Sequence, residues 1–198
     1  NEKLKKIATQ NLIFALLLVI VLQQLLFWNA GLLLKIFDPS PELLSNGILY
    51  LRIISWGLPF VAVTLIVAGI LQGMGNAKVP MKIALIMNFV NIVFSYIFIF
   101  GKAGINPMGL RGAAFGLLIA QGAAAILGFR VLFGKDGVLR NMKGELSFKL
   151  ELKEILPIYQ VGLPTSFETI FWEAAAVFMT KAILSYGEIA YAAYQLGL

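Results

Sequence analysis

Apolar residues gather in five long runs, at 11–28, 47–71, 81–100, 112–133 and 158–185, while charge, glycine and proline concentrate between them. Each run approaches or exceeds the roughly 20 residues a helix needs to cross a hydrocarbon layer about 30 Å thick. The runs are continuous and far longer than the alternating segments of about ten residues that mark barrel strands. The pattern predicts an all-α membrane protein, a polytopic helical bundle with five transmembrane helices. The longest polar connection, "GKDGVLRNMKGELSFKLELKEILP" at 134–157, carries the amphipathic series Leu146, Phe148, Leu150, Leu152 and Ile155, as in a helix lying on a membrane surface. A boundary falls there: residues 1–134 supply four helices of one bundle, 135–157 form a cytoplasmic linker, and 158–198 begin a second bundle.

Composition agrees: 60% of the residues are apolar and 13% charged, against about 45–50% and 25% in soluble domains. The net charge of +6 comes from basic residues placed mostly between spans, so lipid orientation accounts for it and nucleic-acid binding is not expected. Lys3, Lys5, Lys6, Lys78, Lys82, Lys135, Arg140, Lys143, Lys149 and Lys153 fall on one side, which puts the N-terminus in the cytoplasm of a cell (plasma or inner) membrane. Without cysteine or histidine, the chain has no thiolate, disulfide, histidine-based zinc site or Ser-His-Asp triad. No intramembrane enzyme constellation is present, no Walker A stretch implies ATP, and no cofactor is expected. The chain starts at Asn1, shows no signal peptide and has an odd number of spans, all of which suit a piece of a longer protein.

Polar residues inside the spans are the candidates for function. Asn88, Asn91 and Ser95 share one face of the third span, positioned either to line a cavity or to bond a neighbouring helix. The fourth span repeats a small residue at every fourth position, Gly112, Gly116, Ala120, Ala124 and Gly128, which predicts close helix packing; Gln121 lies beside this ladder. Gly57 and Pro59 predict a kink in the second span, since proline removes a donor and crowds the carbonyl four residues back. "WGLP" at 56–59 and "VGLP" at 161–164 each sit in an apolar segment, either as matching interruptions of a duplicated transporter or by chance in a chain rich in glycine and leucine. In the fifth span Glu173 lies near the midpoint of 158–185 and shares its face with Thr169 and Thr180. Glu168 is rotated from it by about 140°, so the two are not a paired-carboxylate dyad. An ionisable group at that depth is costly unless a proton, cation or cationic solute neutralises it. Lys181 suits an interfacial anchor.

"GMGNAKVPM" at 73–81 resembles the signature loop of multidrug and toxic compound extrusion (MATE) transporters, matching it at Gly73, Gly75, Asn76, Lys78 and Pro80. "NFVNIVFSYIFIFG" at 88–101 and "NPMGLRGAAFG" at 106–116 are similar to that family's fifth helix and the entry to its sixth, and "VGLPTSFETIFWEAAAVF" at 161–178 to the start of its seventh. The resemblance implies that the chain covers about helices 3 to 7 of twelve. It also implies a secondary exporter that exchanges Na⁺ or H⁺ for an amphipathic, often cationic solute, with Glu173 in the place of a coupling glutamate. Glu168 and Thr169 complete the candidate cation and solute site. The implied partners are a small-molecule solute, the lipid bilayer and the rest of the same chain. Where some members carry an aspartate four residues after the helix-five asparagine and a threonine in helix six, this chain has Ser95 and Leu117. A lipid-linked oligosaccharide flippase of the same superfamily is the alternative, but it would want cations where these spans offer acids and amides.

Overall fold

The computed structural model describes residues 2–135, 137, 139, 152–187 and 193–194; most of the expected linker lies outside them. Six helices follow in order: α1 (Glu2–Lys35), α2 (Pro41–Ser55), α3 (Leu58–Gly73), α4 (Lys78–Phe100), α5 (Leu110–Phe133) and α6 (Leu152–Leu184). The described residues are all-α, as the hydrophobic runs predict. The chain divides into two units, one holding α1 to α5 and the other α6.

The boundaries follow from local chemistry. Pro41 opens α2 in the first turn, where its missing N–H costs nothing, and the Leu43 N–H donates to the Ser40 hydroxyl at 3.4 Å. The expected kink is a full break. Trp56 and Gly57 donate to Ile53 and Ile54, tightening the last turn of α2, and Pro59 has no N–H to offer Ser55. α2 and α3 meet at 46°. α3 then ends in a Schellman turn: Gly75 sits at φ +80° and donates to Gln72, and Asn76 donates to Leu71. The Asn76 amide oxygen accepts from the Val79 N–H at 3.4 Å, and Pro80 falls in the first turn of α4.

α4 and α5 form the closest pair in the bundle, because the small-residue ladder faces protein as expected. Gly112, Gly116, Ala120, Ala124 and Gly128 are all buried. A methyl at Gly112 would stand 2.6 Å from the Phe98 carbonyl carbon, and one at Gly116 would meet Ser95 Oγ and stand 2.7 Å from Ser95 N. Gly128 faces Val67 of α3 instead, so one face of α5 serves two neighbours. α1 packs on α2 and α3, held in part by Arg52, whose Nε donates to the Phe27 carbonyl at 3.3 Å while its guanidinium lies over the Phe27 ring. A core of Ala8, Val67, Leu71, Ile83, Ala124 and Leu132 brings the start of α1, the α3–α4 turn and the end of α5 to one end of the bundle.

Three helices, α1, α4 and α5, are long and apolar enough to cross a membrane, and the bent α2–α3 pair makes a fourth crossing if it is one span. The fifth expected span differs. α6 has 33 residues, more than a crossing requires, but Gln160, Ser166, Glu168, Glu173 and Lys181 dilute its apolar content. It also starts at Leu152, inside the expected linker, and runs unbroken through Pro157 and Pro164.

Candidate functional site

The early start of α6 changes the setting of its carboxylates. Glu168 is the residue at the centre of the whole helix, and Glu173 lies about 7.5 Å further along at 1.5 Å per residue. Glu173 is midway only through the stretch beyond Pro157. The helix is continuous between the two glutamates, so they point to different faces, as expected. Both are exposed, and neither has a hydrogen-bond or ion-pair partner among the described residues. Thr169 and Thr180 stand on the Glu173 face, four residues before and seven after. The Thr169 hydroxyl donates to the Thr165 carbonyl at 3.0 Å, and Ser166 donates to Gly162 at 2.9 Å, so both hydroxyl protons are committed to their own helix. A proton, a cation or a cationic group is the chemistry this arrangement suits, since a carboxylate on an apolar helix has most to gain from neutralisation.

The helix α4 stripe separates into two parts. Ser95 donates to the Asn91 side-chain oxygen at 2.8 Å, and both residues are half-buried, with Ser95 resting on Gly116 of α5. Asn88 is exposed. Asn91 and Ser95 thus form a neutral hydrogen-bonded pair at the α4–α5 contact.

Gly73, Gly75, Asn76, Lys78 and Pro80 have a structural account in part. Gly75 supplies the left-handed turn, Asn76 caps α4 and Pro80 fits its first turn, while Lys78 is exposed and nothing crowds Gly73. Among the described residues no group of acidic side chains is arranged to hold a metal.

The pattern gives no preference for Gln121, yet it holds a defined place: its amide oxygen is buried without a hydrogen bond and lies where a side chain at Gly57 would have to go. It therefore closes the inside of the α2–α3 break. Buried amides on α1 were missed altogether. Gln10 and Gln23 are 0% and 3% exposed, and the Gln23 amide nitrogen is without a hydrogen bond. The available signal was a glutamine within the apolar run at 11–28, which lipid could not satisfy.

The chain is similar to several known proteins. Residues 1–97 match the MatE family model. The chain is 28% identical, along its whole length, to "Probable multidrug resistance protein NorM" of Thermotoga maritima, covering 42% of that protein. It is 26% identical to "Multidrug resistance protein MdtK" of Cronobacter sakazakii, over 91% of this chain and 40% of that one. The chain thus spans about two fifths of the curated relatives it matches. In fold it is similar to a multidrug resistance MATE family transporter of the MOP superfamily in an inward-facing conformation. That match has a TM-score of 0.78 at 23% identity and covers 94% of this chain and 41% of the transporter. A second structure, a MATE protein in a bent conformation, matches at 0.76 and 22% identity over 98% of this chain and 46% of that one.

Proposed function

Because residues 1–97 match the MatE family model and the whole chain is similar to multidrug resistance proteins, we propose that it belongs to that family and forms part of a secondary active exporter, one that moves an amphipathic, often cationic solute outward in exchange for inward Na⁺ or H⁺. The observation that carries the reading is Glu173: a carboxylate without a partner among the described residues, within a long helix and sharing its face with Thr169 and Thr180. Glu173 takes the coupling ion or the cationic solute but not both strongly, and that competition links the two fluxes. Thr169 stands on the same face as an auxiliary binding group, and Glu168, on another face of α6, offers a second carboxylate. The Asn91–Ser95 pair lacks an ionisable group, so in this reading coupling in the described residues rests on α6 rather than on α4. The protein sits in the cell membrane with the start of α1, the α3–α4 turn and the end of α5 toward the cytoplasm. Acids and amides hold the middle of the spans, whereas the cations Arg52, Lys82, Arg130 and Lys181 fall toward span ends, which favours this reading over a lipid-linked oligosaccharide flippase.

The test uses the full-length protein. Glu173→Gln keeps size and hydrogen-bonding capacity while removing the charge, so the variant should insert and fold but lose efflux of a cationic dye driven by an imposed Na⁺ or H⁺ gradient. Glu168→Gln should impair it less. Normal efflux by well-expressed Glu173→Gln would remove this carboxylate from the coupling mechanism.

A further inference from the structure

The signature loop and the end of α5 line an open cleft of about 460 Å³ that does not include the α6 carboxylates. Its floor is apolar, formed by the half-buried Val79 of α4 with Leu127 and Val131 of α5. Its rim is polar and basic, formed by Asn76, Arg130 and Lys135. The cleft lies at the end of α5, where the apolar helix gives way to Gly134 and Lys135, so it straddles the boundary between hydrocarbon and water. Arg130 and Lys135 have no ion-pair partner among the described residues, and no acidic side chain lines the cleft there. Asn76 spends its side-chain oxygen on the Val79 N–H, which leaves its amide N–H groups as donors.

We propose that this cleft binds the headgroup of an anionic phospholipid, with its phosphate held by Arg130, Lys135 and Asn76 and the start of its acyl chains laid over Val79, Leu127 and Val131. Two cations without an ion-pair partner among the described residues, and a neutral donor beside them, fit a phosphate. Basic pockets between membrane helices at an interface recognise anionic headgroups in this way. A free phosphate would use the cations and leave the apolar floor bare; a phospholipid uses both. The signature loop then has a second role besides joining α3 to α4: Gly75 and Asn76 hold one wall of the site in place, since the turn at Gly75 fixes where Asn76 stands. This inference is independent of Glu173 and of the identity of the exported solute.

Native mass spectrometry of the full-length protein, titrated with phosphatidylglycerol, phosphatidylcholine or soluble glycerol phosphate, tests it directly. Phosphatidylglycerol should be retained preferentially, and the Arg130→Gln, Lys135→Gln pair should weaken its binding about thirtyfold, the effect of two cations at a membrane surface. The charge-keeping pair Arg130→Lys, Lys135→Arg should hold the preference, as should Lys102→Gln with Arg111→Gln at the opposite end of the bundle. Should the glutamine pair fail to fold, Leu127→Trp gives a second measurement: brominated phosphatidylglycerol should add more quenching than brominated phosphatidylcholine. Equal binding of the two lipids, an unchanged preference in the folded glutamine pair, equal quenching, or displacement by glycerol phosphate at equal concentration would each overturn the proposal.

Discussion

Replacing Gly116 by alanine adds a single methyl where α5 meets α4, and the structure sets the size of the effect. Ordinary contact begins at 3.4 Å, whereas the new Cβ would stand 2.7 Å from Ser95 N and 2.8 Å from Ser95 Cα, a shortfall of about 0.7 Å. These are backbone atoms, so no rotamer change relieves them and the two helices must part. A gap of 0.5–1 Å forfeits a quarter to a half of each van der Waals contact, itself about 0.1–0.2 kcal/mol. Summed along the interface, and with the Ser95–Asn91 bond disturbed, the loss comes to about 1–3 kcal/mol, the usual range for overpacking. Gly69→Ala is the control, since nothing lies within 4 Å of the added methyl and the helix gains up to about 1 kcal/mol of propensity. In thermal unfolding of the detergent-solubilised full-length protein, Gly116→Ala should lower the midpoint by several degrees and Gly69→Ala should leave it level or raise it. Equal midpoints would mean that α4 and α5 are not in contact through Ser95.

Gly57→Ala should destabilise the protein, because the methyl collides with the Gln121 amide, and adding Gln121→Ala should restore at least half of the loss; additive losses in the double-mutant cycle would refute that contact. In the signature loop, Gly75→Ala should cost about 1 kcal/mol through its φ of +80° alone, whereas Gly73→Ala should be neutral, and equal melting of the two variants would contradict the left-handed turn. For sidedness, single cysteines at Ser45 and Asn106 should react with an impermeant thiol reagent in intact cells and one at Asn76 should not; the reverse pattern would invert the proposed orientation.

The all-helical fold was legible because lipid leaves a helix no other way to satisfy its backbone, so length and apolarity determine α1, α4 and α5 nearly by themselves. The Gly116 ladder was legible for the same reason: four-residue spacing puts small residues on one face wherever the helix goes. The break was not fully so. "WGLP" and "VGLP" share three residues, yet the first separates α2 from α3 and the second lies within an unbroken α6. At the first, Gln121 of α5 packs on Gly57 and closes the inside of the break, a contact that four residues of sequence do not reveal. Glu173 was legible as an anomaly, but its depth was not, because the start of α6 depends on residues after Lys149 whose mixed polarity also fits a surface linker. The Arg130–Lys135 cleft escaped sequence reading because its lining comes from two stretches far apart in the chain, 71–79 and 127–135.

Backbone resting on backbone has a mechanical consequence. Helices separated by a layer of long side chains can slide, because rotamers absorb the displacement. At Gly112 and Gly116 no such lubricating layer exists, and the partner atoms are the Phe98 carbonyl and the Ser95 main chain. α4 and α5 therefore behave as one stiff beam over that length. Compliance within this bundle has to reside where the hydrogen-bond ladder is already interrupted, between Ser55 and Leu58, so strain applied at either end of the beam is delivered to the joint rather than dissipated along it.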